Sequence, residues 1–241
     1  MQPLSHPPKD HESVELVRQL LIGLLGPQPS WRTKRVELVA AVGRVLGKDT
    51  NPQHLRALLE VPREMFVRKV DVARSAEDVP LPLDETGMAT ISAPHAYLLS
   101  FGLVGLSTGD HLVELGSGSG YGAALAAYIV GETGTVVTIE IDPTLATRAA
   151  TLLAKEPNVT VVAHNAVTST HLWGDAEKIV CTFAVDAIPP PWLLALREGS
   201  ALVAPVGEGT EQRLVLVKRE GGVLVYRDHG AVRYVRNRSA V

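Results

Sequence analysis

From Gly109 onward the chain alternates short apolar runs with helical stretches, and that alternation restricts the fold more than any other feature. The runs are HLVEL (111–115), TVVTIEI (135–141), VTVVAH (159–164), KIVCTF (178–183), SALVAPV (200–206), RLVLVKRE (213–220) and GVLVYRD (222–228). Helical spacing falls between them at about Tyr121–Val130, Pro143–Lys155 and Pro191–Leu196. Near-continuous apolar runs separated by helices of this size predict a doubly wound, mostly parallel α/β sheet of Rossmann-like type, because crossover helices must cover both faces. Gly221-Gly222 joins the last two runs, which predicts an antiparallel hairpin at one edge.

Upstream the pattern is different. Apolar residues from Val14 to Leu25 follow a helical period that Gly26-Pro27 ends, so one amphipathic helix is expected in an N-terminal extension covering 1–30. A second helix is expected from a cap at Ser30 to Leu46, and a third from Pro52. Residues 61–94, with prolines at 62, 80, 82 and 94, read as a long ordered loop of the kind that usually has a function. The expected division is therefore the extension followed by one domain over 31–241, made of a helical and loop preface (31–94) and the sheet-bearing core (95–241).

With 46% hydrophobic residues in 241, the chain can bury one sizeable core. Its 23 basic and 26 acidic residues leave a net charge of −3, which disfavours nucleic acid or an anionic membrane as partner. The single cysteine, Cys181, excludes an intramolecular disulfide and a multi-cysteine zinc site, and reads as a core residue. No metal is expected. The opening MQPLSHPPKDHE lacks an export pattern, and LLIGLL (20–25) is far short of a membrane span, so a cytoplasmic monomer is expected.

Glu114-Leu115-Gly116-Ser117-Gly118-Ser119-Gly120-Tyr121 follows a strand and opens a helix, a turn that needs glycine so that a ligand can approach the backbone. The glycines alone also fit a relaxed dinucleotide pattern through Gly118, Gly120 and Ala123. Glu114, two positions before the first glycine, is unhelpful to a pyrophosphate but suits the cationic end of S-adenosylmethionine. Glu140 ends the next strand, where a carboxylate can accept ribose hydroxyls, a feature shared with NAD sites. A tight turn with solvated strand ends is the plain alternative. No Tyr-x-x-x-Lys pair supports hydride transfer.

Over about residues 34–235 the sequence resembles the protein-L-isoaspartate O-methyltransferases, which are class I S-adenosylmethionine-dependent enzymes. The most specific match is Ala89-Thr90-Ile91-Ser92-Ala93-Pro94-His95, with Val61-Pro62-Arg63-Glu64-Met65-Phe66-Val67, Pro80-Leu81-Pro82, Ala204-Pro205-Val206-Gly207 and Gln212 in support. The resemblance implies methylation of the α-carboxyl of L-isoaspartyl residues in proteins or peptides, as a repair step. It implies cofactor contacts from Glu114, Gly116, Gly118, Gly120, Glu140, Ile141, Asn165 and Ala166. It implies acceptor contacts from Thr90, Ile91, His95 and Gln212, with Ser92 as the catalytic hydroxyl that positions the carboxylate. Ser92 could instead cap the helix before Pro94, and His95 could simply be packed.

Four segments depart from the family pattern. Ala163-His164-Asn165-Ala166 stands where Gly-Asp-Gly is expected, so an adenine-side aspartate becomes Asn165. Thr182-Phe183-Ala184-Val185-Asp186 is bulkier than the usual alanine-rich strand end and adds a carboxylate. Leu83-Asp84-Glu85 lacks an Ile-Gly pair, and Arg236 replaces a proline. These departures leave room for two alternatives, an aspartyl methyltransferase acting on a dedicated peptide during its maturation, with Arg63, Arg68 and Lys69 as docking residues, or an inactive cofactor-binding relative.

Overall fold

The computed structural model describes residues 30–48 and 50–236. The helix expected at 13–25 lies outside them. Helix α1 (Trp31–Leu46) begins where Ser30 Oγ accepts the Thr33 N–H at 3.2 Å, and ends at Gly47, whose φ of 87° few other residues adopt. Helix α2 (Pro52–Glu60) starts on Asn51, whose side chain accepts the Gln53 N–H at 2.9 Å. Both fit the sequence expectation. Leu38, Val42, Ala57 and Leu58 join the same core as the sheet, so the helical preface packs into the main body.

Residues 61–94 fold as two 3-10 segments (Arg63–Met65 and Lys69–Arg74) and a small antiparallel ribbon of β1 (Leu81–Pro82) and β2 (Thr90–Ile91). What orders this long stretch is Arg63. Its guanidinium, 1% exposed, donates to the carbonyls of Ser75, Glu77, Val79 and Ser92 at 2.8–3.1 Å. Five fixed donors make arginine suited to gathering several carbonyls at once. A side chain so buried has no surface to offer a partner, so the docking role considered for Arg63 is corrected.

Helix α3 (Pro94–Val104) begins at the Pro94 start considered for Ser92 as a cap, but its extent has no counterpart in the sequence reading. Pro94, Tyr97, Leu98, Ser100, Phe101 and Val104 are all buried, so the segment is apolar on most sides and shows no amphipathic period. Its N-cap is Ala93, not Ser92, and no side chain of that position caps it. The capping alternative for Ser92 is thereby corrected.

The rest follows the predicted alternation: β3 (His111–Leu115), α4 (Tyr121–Val130), β4 (Thr135–Glu140), α5 (Pro143–Leu152), β5 (Val159–Ala163), β6 (Lys178–Cys181), α6 (Pro190–Ala195), β7 (Ala201–Val206), β8 (Gln212–Glu220) and β9 (Val223–Val232). Helix α5 stops three residues before Lys155, and β6 stops at Cys181, because Thr182 turns to donate its N–H and hydroxyl back to the Leu115–Gly116 carbonyls. Cys181 is buried, as expected for a core residue. Strand order is β5-β4-β3-β6-β7-β8-β9, parallel through β7, with β8 and β9 antiparallel at the edge. Successive strand residues serve opposite faces: Leu112, Val136, Val180 and Val203 pack on one side, Val113, Ile139, Ile179 and Leu202 against Trp173 and Trp192 on the other.

The chain runs outward in one direction from β3 to β4 and β5, then in the other from β6 onward. That reversal opens a crevice above the carboxyl ends of β3, β4 and β6, the position where open α/β sheets bind ligands.

Candidate active site

The crevice is floored by the loop 116–120. Ser117 Oγ meets Thr138 Oγ1 at 2.6 Å, and Thr138 Oγ1 donates to Glu114 Oε2 at 2.6 Å, all three residues being at most 3% exposed. Glu114 and Thr138 sit opposite one another on β3 and β4, so the sheet register itself builds this chain. Glu114 lies beneath the loop, against Gly122, where an added Cβ would overlap its Oε1. It does not line the crevice. Gly120, φ 86°, caps α4 and packs on Ala149 and Leu153. An added Cβ on Gly116 would come within 2.5 Å of Thr182 Oγ1.

Burial pushes the Glu114 carboxyl up to about 8, partly opposed by the Thr138 hydrogen bond and reinforced by the nearby charge of Glu140. A carboxyl whose pKa is raised by folding contributes stability that is complete below its unfolded value, near 4.5, and is lost as pH rises through the folded value. Without cofactor, stability should therefore fall between about pH 5 and pH 8. Glu114→Gln, which imitates the protonated form, should flatten that fall; denaturant titrations at the two pH values with parallel slopes for parent and variant would contradict it.

Above the loop, a cavity is lined by Gly116, Gly118, Glu140, Ile141, Leu145 and Ala166, with Thr90, Met88, Thr182, Phe183, Val235 and Arg236 among the remaining wall residues. Glu140 is held in the wall by two backbone donors, Gly118 N–H to Oε2 at 2.8 Å and Asp142 N–H to Oε1 at 3.0 Å. Each oxygen keeps a further lone pair for a hydroxyl. Asn165 stands beside this wall as the cap of a short turn, its Oδ1 accepting the Val167 N–H at 2.9 Å.

A second, wider cleft adjoins the first. Ser92, His95, Thr90, Ala96, Leu99 and Pro80 line one side of it, and Ala231 to Val235 the other. Thr90 and Val235 border both spaces, so a group bound in one can face a group bound in the other. The Ser92 N–H donates to Tyr97 Oη at 3.2 Å, and its carbonyl accepts from Arg63, so the backbone that carries the hydroxyl is fixed on both sides. Burial raises the Tyr97 hydroxyl above its ordinary value and keeps it neutral.

Two expected acceptor residues are not in the cleft. Ile91 is fully buried in the ribbon. Gln212, 2% exposed, uses its amide to hold the backbone of Tyr234, accepting its N–H at 2.7 Å and donating to its carbonyl at 3.1 Å, and thereby shapes the cleft wall from behind. Tyr97 and Thr138 are supporting residues that sequence reasoning missed, and Arg63 is one that it read only as a docking residue. Thr138 alone left a signal, a hydroxyl inside an otherwise apolar strand.

The departures near the mouth pair with each other. Asp186 Oδ1 accepts from Arg236 Nη2 at 2.6 Å, while Ala184 donates its N–H to Val235 at 2.8 Å and bridges Arg236. The added carboxylate thus holds the added guanidinium at the cavity rim. Among the described residues there is no cluster able to hold a metal and no helix long and apolar enough to cross a membrane.

Comparison with known proteins adds to this geometry. The family model for protein-L-isoaspartate(D-aspartate) O-methyltransferase matches residues 39–240. Protein-L-isoaspartate O-methyltransferase 2 of Archaeoglobus fulgidus is 35% identical over 181 residues, covering 74% of this chain and 82% of its own length. A solved protein-L-isoaspartate O-methyltransferase superposes with a TM-score of 0.76 at 27% identity, over 84% of this chain and 65% of that one. A Plasmodium falciparum structure in complex with S-adenosyl-L-homocysteine shares the fold at 19% identity, TM-score 0.74, over 88% and 99% of the two chains.

Proposed function

The chain belongs to the protein-L-isoaspartate(D-aspartate) O-methyltransferase family, and from that premise we propose that it methylates the α-carboxyl of L-isoaspartyl residues in proteins or peptides at the expense of S-adenosylmethionine. The observation that carries this reading is the meeting of two spaces at Thr90 and Val235, one floored by a glycine loop and the other lined by Ser92.

The first space fits the cofactor in its donor set. Gly118, whose backbone approaches Thr90 and Leu83 without a Cβ, leaves the cradle open, and Glu140 supplies a carboxylate at the strand end. When bound, S-adenosylmethionine supplies a sulfonium methyl group as the electrophile. Glu140 would accept ribose hydroxyls, and Ile141, Ala166 and Asn165 would border the adenine. Glu114, placed under the loop, would serve the cationic end through the loop it braces.

The acceptor side needs little chemistry. A carboxylate with an ordinary pKa near 4 is already ionised and nucleophilic at neutral pH, so no strong base is required. What the protein supplies is orientation and exclusion of water. Ser92 would donate its hydroxyl to one carboxylate oxygen, with Thr90 and His95 flanking it. Methylation turns that carboxylate into an ester, a better electrophile, which the neighbouring amide nitrogen can attack, expelling methanol, to form a succinimide that water reopens in part to aspartate. Its one buried cysteine suits the chain to a reducing cytoplasm, where it would act as a monomer.

The test is conversion. An isoaspartyl peptide incubated with the protein and S-adenosylmethionine should pass through a base-labile ester and accumulate the aspartyl form, which chromatography separates. No ester and no conversion under turnover conditions would overturn the reading.

Asn165 makes a second point testable. Because its Oδ1 serves as a turn cap, aspartate there would keep the cap and add charge next to Ala166 of the cavity wall, where we place the adenine. Asn165→Asp should tighten S-adenosylhomocysteine a few-fold, since a charged acceptor strengthens a hydrogen bond by about 1 kcal/mol. Calorimetry showing looser binding would mean that the side chain meets the cofactor differently.

A further inference from the structure

We propose that Asp78 is a positioning residue of the acceptor cleft, holding His95 so that its Nε2 accepts a backbone N–H of the acceptor chain. The inference rests on the reading that the Ser92-lined cleft takes the isoaspartyl residue. Asp78 grips His95 twice, accepting its backbone N–H at 2.9 Å through Oδ1 and lying 2.9 Å from its Nδ1 through Oδ2. The carboxylate is the more sheltered partner, its side chain 12% exposed against 37% for His95. Although burial works in the other direction, the hydrogen bonds from His95 and the charge of Arg63 hold the Asp78 carboxyl below its ordinary range, so it is ionised at neutral pH.

An ionised carboxylate has no proton to donate. The ring nitrogen facing it must therefore carry the hydrogen, and in the neutral imidazole that leaves Nε2 as an acceptor. His95 and Ser92 line the same cleft. Their capacities are complementary: the isoaspartyl carboxylate presents only acceptors and needs the Ser92 hydroxyl, whereas the peptide chain presents N–H donors and needs an acceptor. Asp78, through His95, supplies one. The pair would thus let the cleft recognise a peptide and not merely a carboxylate.

Asp78→Asn keeps an oxygen for the His95 N–H, so the first turn of α3 should survive while the tautomer constraint is lost. The experiment compares an isoaspartyl peptide with two analogues in which an ester oxygen replaces either the isoaspartyl residue's own N–H or that of the following residue. For the parent, one ester should raise the acceptor KM about tenfold with kcat held, the loss of one hydrogen bond. Asp78→Asn and His95→Ala should bind the amide peptide as weakly as the parent binds that ester, show no further penalty for the ester, and leave S-adenosylhomocysteine affinity unchanged. Long-range 1H–15N spectra at neutral His95 should report the Nδ1–H tautomer in the parent and its loss in Asp78→Asn. Equal KM for all three peptides in the parent, or an ester penalty that persists in Asp78→Asn, would overturn the inference alone. A parent that neither binds nor methylates the amide peptide would overturn the functional reading as well.

Discussion

Gly118→Val should lose S-adenosylhomocysteine affinity by about a hundredfold or more, roughly 3 kcal/mol, while the chain stays folded. Gly118 has a φ of 52°, a left-handed conformation that costs a side-chain-bearing residue about 1–2 kcal/mol. A Cβ there would sit 3.1 Å from Leu83 Cδ1 and 3.7 Å from the Thr90 carbonyl, contacts that the flexible tip of Leu83 can relieve. The protein can therefore tolerate the residue, whereas the cavity is expected not to, because a branched side chain wedged beside Leu83 and Thr90 would shift the wall that Gly118 and Thr90 form. Any backbone adjustment would also displace the N–H that holds Glu140. Gly116 would be a poor substitute for this test, since its Cβ would collide with Thr182 and Phe183 and report on folding instead. Calorimetry and a melting curve on one preparation decide the matter; a folded Gly118→Val protein that binds as the parent does would remove the glycine loop from the cofactor site.

The contrast between those two glycines shows how far sequence carries. The pattern Gly116-Ser117-Gly118-Ser119-Gly120 announces a turn at a strand end, because few other residues permit it, and the alternation of apolar runs places that strand in a parallel sheet. Which glycine has room for a side chain and which abuts Phe183 depends on contacts between segments 66 residues apart, and no local period encodes them. Arg63 makes the same point. In sequence it is one cation among several near Lys69, and only the folding of 75–92 around it reveals four carbonyls awaiting a donor. The extent of helix α3 beyond its Pro94 start escaped for the opposite reason, the segment being buried on too many sides to show a polar face. Gln212 was legible as a residue that matters, but its amide turns inward to Tyr234 and not toward an acceptor.

Ser92→Ala should fall in turnover by about a hundredfold, the order expected when reactants stay bound but are misplaced by about 1 Å. Cofactor affinity should hardly change, because Ser92 lines the second cleft and not the cavity above the glycine loop. Stability should change little as well. Ala93, not Ser92, stands at the head of α3, and the backbone of residue 92 keeps its hydrogen bonds to Tyr97 and Arg63 when the hydroxyl is removed. The hydroxyl does contact Tyr97, a hydrogen bond worth about 1 kcal/mol at most in net stability. Turnover, affinity and melting temperature thus separate cleanly. Parent-like turnover of an isoaspartyl peptide by Ser92→Ala would show that carboxylate positioning rests elsewhere in the cleft.

The central claim, that a glycine-loop cavity and a Ser92-lined cleft together methylate an isoaspartyl carboxylate, is tested most directly by initial rates of methyl transfer to two peptides of one composition. One carries an isoaspartyl linkage and the other the ordinary aspartyl linkage, with labelled S-adenosylmethionine at saturation. The account predicts label entering the isoaspartyl peptide as a base-labile ester, and the aspartyl twin remaining at background. Equal transfer to both, transfer to the aspartyl twin alone, or transfer to neither while S-adenosylhomocysteine binds normally would contradict it.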